Sequence, residues 1–168
     1  MQTKDSTIFF NELIEQHKGI LYKVAKTYCK DATDREDLLQ EIMIQLWKSV
    51  HKYNNEFKTS TWVYRISLNV AISFYRKNGA KTSQTTDLNE QNLQIPADEV
   101  GEREFRLNLL EQFINELNSF DKAIILLHLE DRNHADIADI LGISVSNVST
   151  KLGRIKDKLK QRFSTYKF

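Results

Sequence analysis

The chain has one proline, five glycines and one cysteine in 168 residues. So few helix breakers leave long stretches free to coil. Strand-like alternation of apolar and polar residues is missing from those stretches, which argues against a β architecture. No apolar run approaches the roughly 20 residues that a membrane span needs, and the N-terminal MQTKDSTIFF lacks the layout of a signal peptide. The lone Cys29 has no disulfide partner within the chain, which suits a reducing cytoplasm; beside Tyr28 on an apolar helical face it reads as a packed core thiol. His17, His51, His128 and His134 are dispersed, and none pairs with Cys29 or another histidine at metal-ligand spacing. A glycine-rich phosphate loop and a nucleophile elbow are missing too. These absences leave an enzyme without support: the sequence predicts no catalytic residue, no metal, no cofactor and no small-molecule substrate.

What is present is a globular composition, 40% hydrophobic and 28% charged, in a size near one ordinary domain or two small ones. The net charge of +1 hides a polarity along the chain. Residues 1–79 carry twelve bases and nine acids (+3), and residues 80–100 one base and four acids (−3). Residues 101–148 carry four bases and nine acids (−5), and residues 149–168 seven bases and one acid (+6). A basic terminal segment behind an acidic one is an electrostatic footprint for nucleic acid that the total conceals.

Apolar spacing predicts an all-α protein of two small helical domains, 1–78 and 100–168, joined by a flexible acidic linker at 79–99. Phe10, Leu13, Ile14, His17, Leu21, Val24, Ala25 and Tyr28 follow a helical face, with a break expected at Gly19. A second helix begins at Thr33, which has capping-box spacing to Glu36, and its buried stripe reads Leu38, Leu39, Ile42, Leu46, Trp47 and Val50. After a polar turn at 52–58, a third helix starts near Thr59 or Ser60 and buries Trp62, Val63, Ile66, Val70 and Phe74. From Asn78 to Asp98 the periodicity fails; the segment is amide-rich, acidic and too long for a routine connection. Phe105, Leu109, Leu110, Phe113, Ile114 and Leu117 mark the next helix. Ser119 is the expected cap of one carrying Ile124, Ile125, Leu127 and Leu129.

The C-terminal run HADIADILGISVSNVSTKLGRIKDKL has the form helix, glycine-containing turn, helix. Gly142 is placed as a left-handed stop and Ser144 as an N-cap. The following helix buries Val148, Leu152, Ile155 and Leu159 and so turns its polar side outward. A recognition helix offers hydrogen-bonding side chains to base edges near its start and cations to phosphates along its flanks. Ser146, Asn147, Thr150 and Lys151 suit the first role, and Arg154, Lys156 and Lys158 the second. Gly153 weakens this helix without an evident reason.

A helix-turn-helix does not say which DNA-binding protein this is; the stretch Asp34–Lys77 does. It joins an acid-rich amphipathic helix, an aromatic-rich turn and a helix with a basic end. Asp37-Leu38-Leu39-Gln40-Glu41, Leu46-Trp47, Phe57, Thr61-Trp62, Arg65-Ile66, Asn69 and Arg76-Lys77 resemble region two of bacterial RNA polymerase sigma factors of the extracytoplasmic-function group. The C-terminal run resembles region four of the same family. The resemblance implies that Asp34, Asp37, Leu38, Gln40 and Glu41 dock on core RNA polymerase. It implies that Arg65, Asn69, Ser73, Arg76 and Lys77 hold the promoter minus-ten strand, with Tyr53, Phe57 and Tyr64 available for stacking. Ser146, Asn147, Thr150, Lys151, Arg154 and Lys158 then read the minus-thirty-five duplex. Ser73 stands where many members carry Asp, a departure that bears on base preference.

The implied protein is a cytoplasmic initiation factor that is monomeric when free, with promoter DNA, core polymerase and an anti-sigma factor, often membrane-bound, as partners. Its linker reads first as a tether between the domains. The alternative, from where the family threads this segment, is that Asp87, Glu90, Asp98 and Glu99 imitate nucleic-acid charge in the polymerase cleft. The rival is a conventional helix-turn-helix regulator with an N-terminal dimerisation or effector module, which binds duplex alone as a dimer.

Overall fold

A computed structural model describes residues 2–82 and 99–166. The predicted linker at 79–99 falls largely on residues 83–98, outside the described ones. Among the described residues the chain is helical, with no strand. The helices are α1 (Gln2–Tyr28), α2 (Ala32–Ser49), α3 (Thr59–Thr82), α4 (Glu99–Glu116), α5 (Ser119–Leu129), α6 (His134–Leu141) and α7 (Val145–Ser164), with a 3₁₀ turn at Val50–Lys52.

α1 bends at His17, whose backbone leaves helical geometry (φ −119°, ψ 15°), and not at the predicted Gly19. The His17 ring lies 3.0 Å from the Thr59 hydroxyl at the start of α3, so a tertiary contact marks the bend. The cap of α2 lies two residues earlier than the sequence suggested. Asp31, rather than Thr33, is the N-cap, its carboxylate accepting from the Asp34 amide at 3.3 Å. Both residues are competent caps; the turn after Cys29 decides which one leaves helical geometry first. Asn118 likewise displaces Ser119 as the cap of α5. Its side chain accepts from the Asp121 amide at 2.8 Å and donates to the Asp121 carboxylate at 3.0 Å.

Leu13, Leu21, Val24, Leu38, Ile42, Leu46, Val63 and Leu68 pack α1, α2 and α3 around one core. That core does not stop at the domain boundary. Ala123, Leu126, Leu127, Ile137, Ala138, Ile140 and Val148 from the C-terminal helices belong to it. A smaller cluster of Leu117, Ile124, Ile125, Leu152 and Ile155 joins α5 to α7. α3 is the shared wall. It packs on α1 and α2 and also on α5 and α6, and its Tyr75 meets both Tyr28 of α1 and Lys122 of α5. The Tyr28 hydroxyl, at the end of α1, donates to the Ser119 carbonyl at 2.6 Å. Arg132 lies 5.1 Å over the Tyr64 ring, and Lys23 pairs with Glu130 across the same junction. Cys29 is a buried free thiol, and burial pushes it up to about 11.

Candidate nucleic-acid interface

The first surface lies on α2. Asp31, Asp34, Glu36 and Asp37 crowd its start, where the helix dipole favours negative charge. Asp37, Gln40 and Glu41 are exposed and Asp34 is half-buried. Leu38 is 0% exposed and sits in the core under this face. It therefore supports the surface and offers none of it, which corrects its expected place among the docking residues. The apolar side of α2 is also not a single buried stripe. Met43, Ile44 and Trp47 remain 38%, 51% and 44% exposed, with Trp47 edge-on to Phe10 at 5.2 Å. Trp47 was expected in the core; at about 100° per residue it lies well off the Leu38–Ile42–Leu46 stripe. The face thus runs from acids at its start to apolar side chains at its end. A surplus of large apolar residues beyond one stripe was the sequence signal for it.

The second surface is a groove of about 510 Å³ between α2 and α3. Glu41, Gln45 and Ser49 line it from α2, and Asn69, Ser73 and Lys77 from α3. Ile66, Val70 and Phe74 form its apolar part, so Val70 and Phe74 lie beside the polar stripe rather than opposite to it. Asn69, Ser73, Arg76 and Lys77 are exposed. Arg65, one turn before Asn69, is half-buried with its guanidinium 5.2 Å over the Phe57 ring. The expected aromatic neighbours divide. Tyr53 is half-buried, stacked on Phe9 at 5.6 Å, with its hydroxyl donating to the Phe57 carbonyl at 2.8 Å. Tyr64 is 2% exposed beneath Arg132 and is withdrawn from any stacking role in this arrangement.

The third surface is α7, positioned by three local devices. Asn133 caps α6 by accepting from the Asp136 amide at 2.8 Å. Gly142 turns the chain at φ 69° and ψ 36° while its amide bonds the Ala138 carbonyl at 2.8 Å. Ser144 then caps α7 by accepting from the Asn147 amide at 3.1 Å. With Val148, Leu152 and Ile155 buried, Ser146, Asn147, Thr150, Arg154 and Lys158 are all exposed. The Thr150 hydroxyl donates to the Ser146 carbonyl at 3.0 Å, which leaves it an acceptor. Ser146 lies 3.2 Å from the Ser144 hydroxyl. The exposed Asn147 side chain offers two donors and one acceptor. Lys151 is half-buried with its ammonium 5.4 Å over the Phe120 ring. No neighbour lies within 4 Å of where a Gly153 side chain would start, so the fold does not explain that glycine.

Of the sequence-predicted residues, α2 presents Asp34, Asp37, Gln40 and Glu41. The groove brings together Asn69, Ser73 and Lys77 while Arg65 and Arg76 lie outside its lining, and α7 presents Ser146, Asn147, Thr150, Arg154 and Lys158. Comparison with known proteins places them in a family context. The family model for sigma-70 region 2 matches residues 13–81, and that for sigma-70 region 4 matches residues 107–159. The chain is 25% identical over 159 residues to the ECF RNA polymerase sigma factor SigM of Bacillus subtilis (strain 168), covering 92% of this chain and 94% of SigM. With the ECF RNA polymerase sigma factor SigW of the same organism the identity is 23% over 164 residues, covering 91% and 88%. Among solved structures, the fold is similar to CnrH in complex with the cytosolic domain of CnrY, with TM-score 0.66 and 19% identity over 94% of this chain and 89% of CnrH. It is similar also to the sigma factor RpoE in complex with the anti-sigma factor NepR from Bartonella quintana, with TM-score 0.67 and 18% identity over 94% and 98%.

Proposed function

The chain belongs to the sigma-70 family, in the extracytoplasmic-function group of RNA polymerase sigma factors, and from that premise we propose how its surfaces divide the work of directing polymerase to a promoter. Asp34, Asp37, Gln40 and Glu41 dock on core polymerase, and Met43, Ile44 and Trp47 add the apolar part of that contact. The groove holds the minus-ten strand after melting, with Asn69 and Ser73 on the bases and Arg65, Arg76 and Lys77 on phosphates. α7 enters the minus-thirty-five major groove, where Asn147 and Thr150 meet base edges and Lys151, Arg154 and Lys158 the backbone. Docking and strand capture lie in 1–78, duplex reading in 100–168, and 79–99 connects them. Polymerase supplies the chemistry of RNA synthesis, and the factor works where polymerase is, in the cytoplasm.

One observation carries this reading: Glu41 belongs at once to the exposed acidic face of α2 and to the wall of the α2–α3 groove. Docking and strand capture therefore share a helix, and a partner seated on one side of α2 orients the other. Ser73 adds no charge to the groove where the family resemblance leads to an Asp, and the base preference turns on that difference. CnrH and RpoE were solved with CnrY and with the anti-sigma factor NepR; we infer that an anti-sigma factor also restrains this chain. Run-off transcription with core polymerase tests the whole reading. A specific transcript that requires the chain is expected; no transcript and no association with core would overturn it.

A further inference from the structure

The groove between α2 and α3 has a polar wall on α2 that neither polymerase docking nor the residues of α3 account for. Glu41, Gln45 and Ser49 line it at four-residue spacing, so α2 turns one stripe of side chains into the groove. Gln45 is exposed and offers two donors and one acceptor, and the Ser49 hydroxyl is half-buried. At about 100° per residue, Gln45 stands roughly 160° around the helix from both Met43 and Trp47. It therefore points away from the apolar end of the docking face.

The lining also says what chemistry the groove takes. Among its described residues only Glu41 and Lys77 are charged, and their signs cancel. Arg65 and Arg76 lie outside the lining, where they suit phosphates. Inside, Ile66, Val70 and Phe74 supply an apolar surface, and amides come from both helices, Gln45 on α2 and Asn69 on α3. A neutral concavity of this kind fits an unstacked base better than a phosphate, because a base needs apolar contact on its face and hydrogen bonds along its edge. Its volume of about 510 Å³ lies within the roughly 300–1,000 Å³ of sites that enclose small ring systems. A glutamine amide sets a donor beside an acceptor, the pattern that matches N7 and N6 of adenine.

We propose that Gln45 is a specificity-determining residue of this groove, which takes one unstacked adenine of the minus-ten strand between Gln45 on α2 and Asn69 on α3. This rests on the reading of the groove as the strand-capture surface and names the base and the second wall. Ser49 adds a hydroxyl to the same wall. With Ser73 contributing only a hydroxyl from α3, the two amides carry the discrimination. The helix that docks on polymerase along one side thereby reads sequence along another.

The test is a selection with the full chain bound to core polymerase. A pool of single-stranded oligonucleotides, randomised across the minus-ten element, is captured and sequenced. Wild type is expected to enrich adenine at one position. Gln45→Glu replaces the amide donor by an acceptor and should turn that position toward cytosine, whose N4 amine is a donor. The adenine-to-cytosine ratio there should fall by at least about tenfold, with the other positions unchanged. A ratio at one position is insensitive to the general repulsion that an added carboxylate brings. Gln45→Ala should flatten the same position, and thermal unfolding checks that both variants fold. Unchanged preference in both variants, a uniform loss of preference at every position, or a loss of core association in step with strand binding would each overturn the proposal. The wild-type selection separates the two failures. No enriched sequence sinks the strand-capture reading together with this inference, whereas an enriched sequence that the Gln45 variants share sinks only the role of Gln45.

Discussion

The groove between α2 and α3 and the recognition helix α7 both present polar residues to nucleic acid, yet they are built in different ways. α7 is a local construction. Asn133, Gly142 and Ser144 each act within three or four residues of the groups they satisfy, and one buried stripe sets which side faces outward. The groove needs two helices that are not neighbours along one turn, and Glu41 and Lys77 line it together only because Leu38, Ile42 and Leu46 hold α2 against α3. A locally built surface tolerates damage elsewhere in the fold, whereas a surface assembled from two helices inherits every fault in the packing beneath it.

The largest test of that contrast is Leu38→Ala. A fully buried leucine truncated to alanine costs about 2–5 kcal/mol. Thermal unfolding should shift accordingly, and polymerase association and minus-ten strand binding should fall together. Asp37→Ala should leave stability within about 0.5 kcal/mol while weakening association with core by more than about 1 kcal/mol. Competition binding to core, run beside calorimetry, separates the two; equal losses of stability would break the distinction between support and contact.

Ser144→Ala probes the other construction. Loss of the cap should cost about 1 kcal/mol and weaken duplex minus-thirty-five binding, while single-strand binding in the α2–α3 groove stays unchanged. Arg154→Ala, smaller still in stability, should lower duplex affinity across sequences and reduce the salt slope of binding by about one. Equal damage to upstream duplex binding and to polymerase association would contradict the division between the two surfaces.

Lys122 probes the junction between the two halves rather than either surface. Its folded value, about 8, lies below the ordinary 10.5, so the unfolded chain holds the proton more tightly between those limits. Stability of the folded chain should therefore rise as pH climbs from about 8 toward 10.5, and that gain should be lost as pH falls back to about 8, below which this group adds no further change. Burial holds the Tyr28 hydroxyl well above its usual range and Cys29 near 11, so neither neighbour titrates within most of that window. Denaturant unfolding of wild type against Lys122→Met isolates the contribution: the variant should lack this rise.

Much of the site was legible because it is periodic or capped. Gly142 and Ser144 fall where turn chemistry requires them, and Asn147, Thr150, Arg154 and Lys158 face outward once Val148, Leu152 and Ile155 are buried. Asn69, Ser73, Arg76 and Lys77 follow one side of α3 for the same reason. Where the reading missed, a tertiary neighbour had the deciding vote. Leu38 carries an apolar side chain inside an acidic motif, and the core took it. Trp47 is as apolar as Leu46, yet only Leu46 is buried, while Trp47 keeps an edge on Phe10 and stays 44% exposed. Tyr64 looked available for stacking until Arg132, 68 positions later in the sequence, covered it.

The sequence by itself determined the helices, the turn between α6 and α7, the outward side of α7 and the membership of the family, since each depends on spacing, capping or a run of residue types. Only the tertiary structure decided that the two halves share a core through α3, that Met43, Ile44 and Trp47 stay on the surface, and that Lys122 is enclosed by Tyr28 and Tyr75. The physical reason is one of range. Periodicity tells a helix which side is apolar, but α3 is apolar on two adjoining sides, and which partner covers each depends on contacts made across dozens of residues.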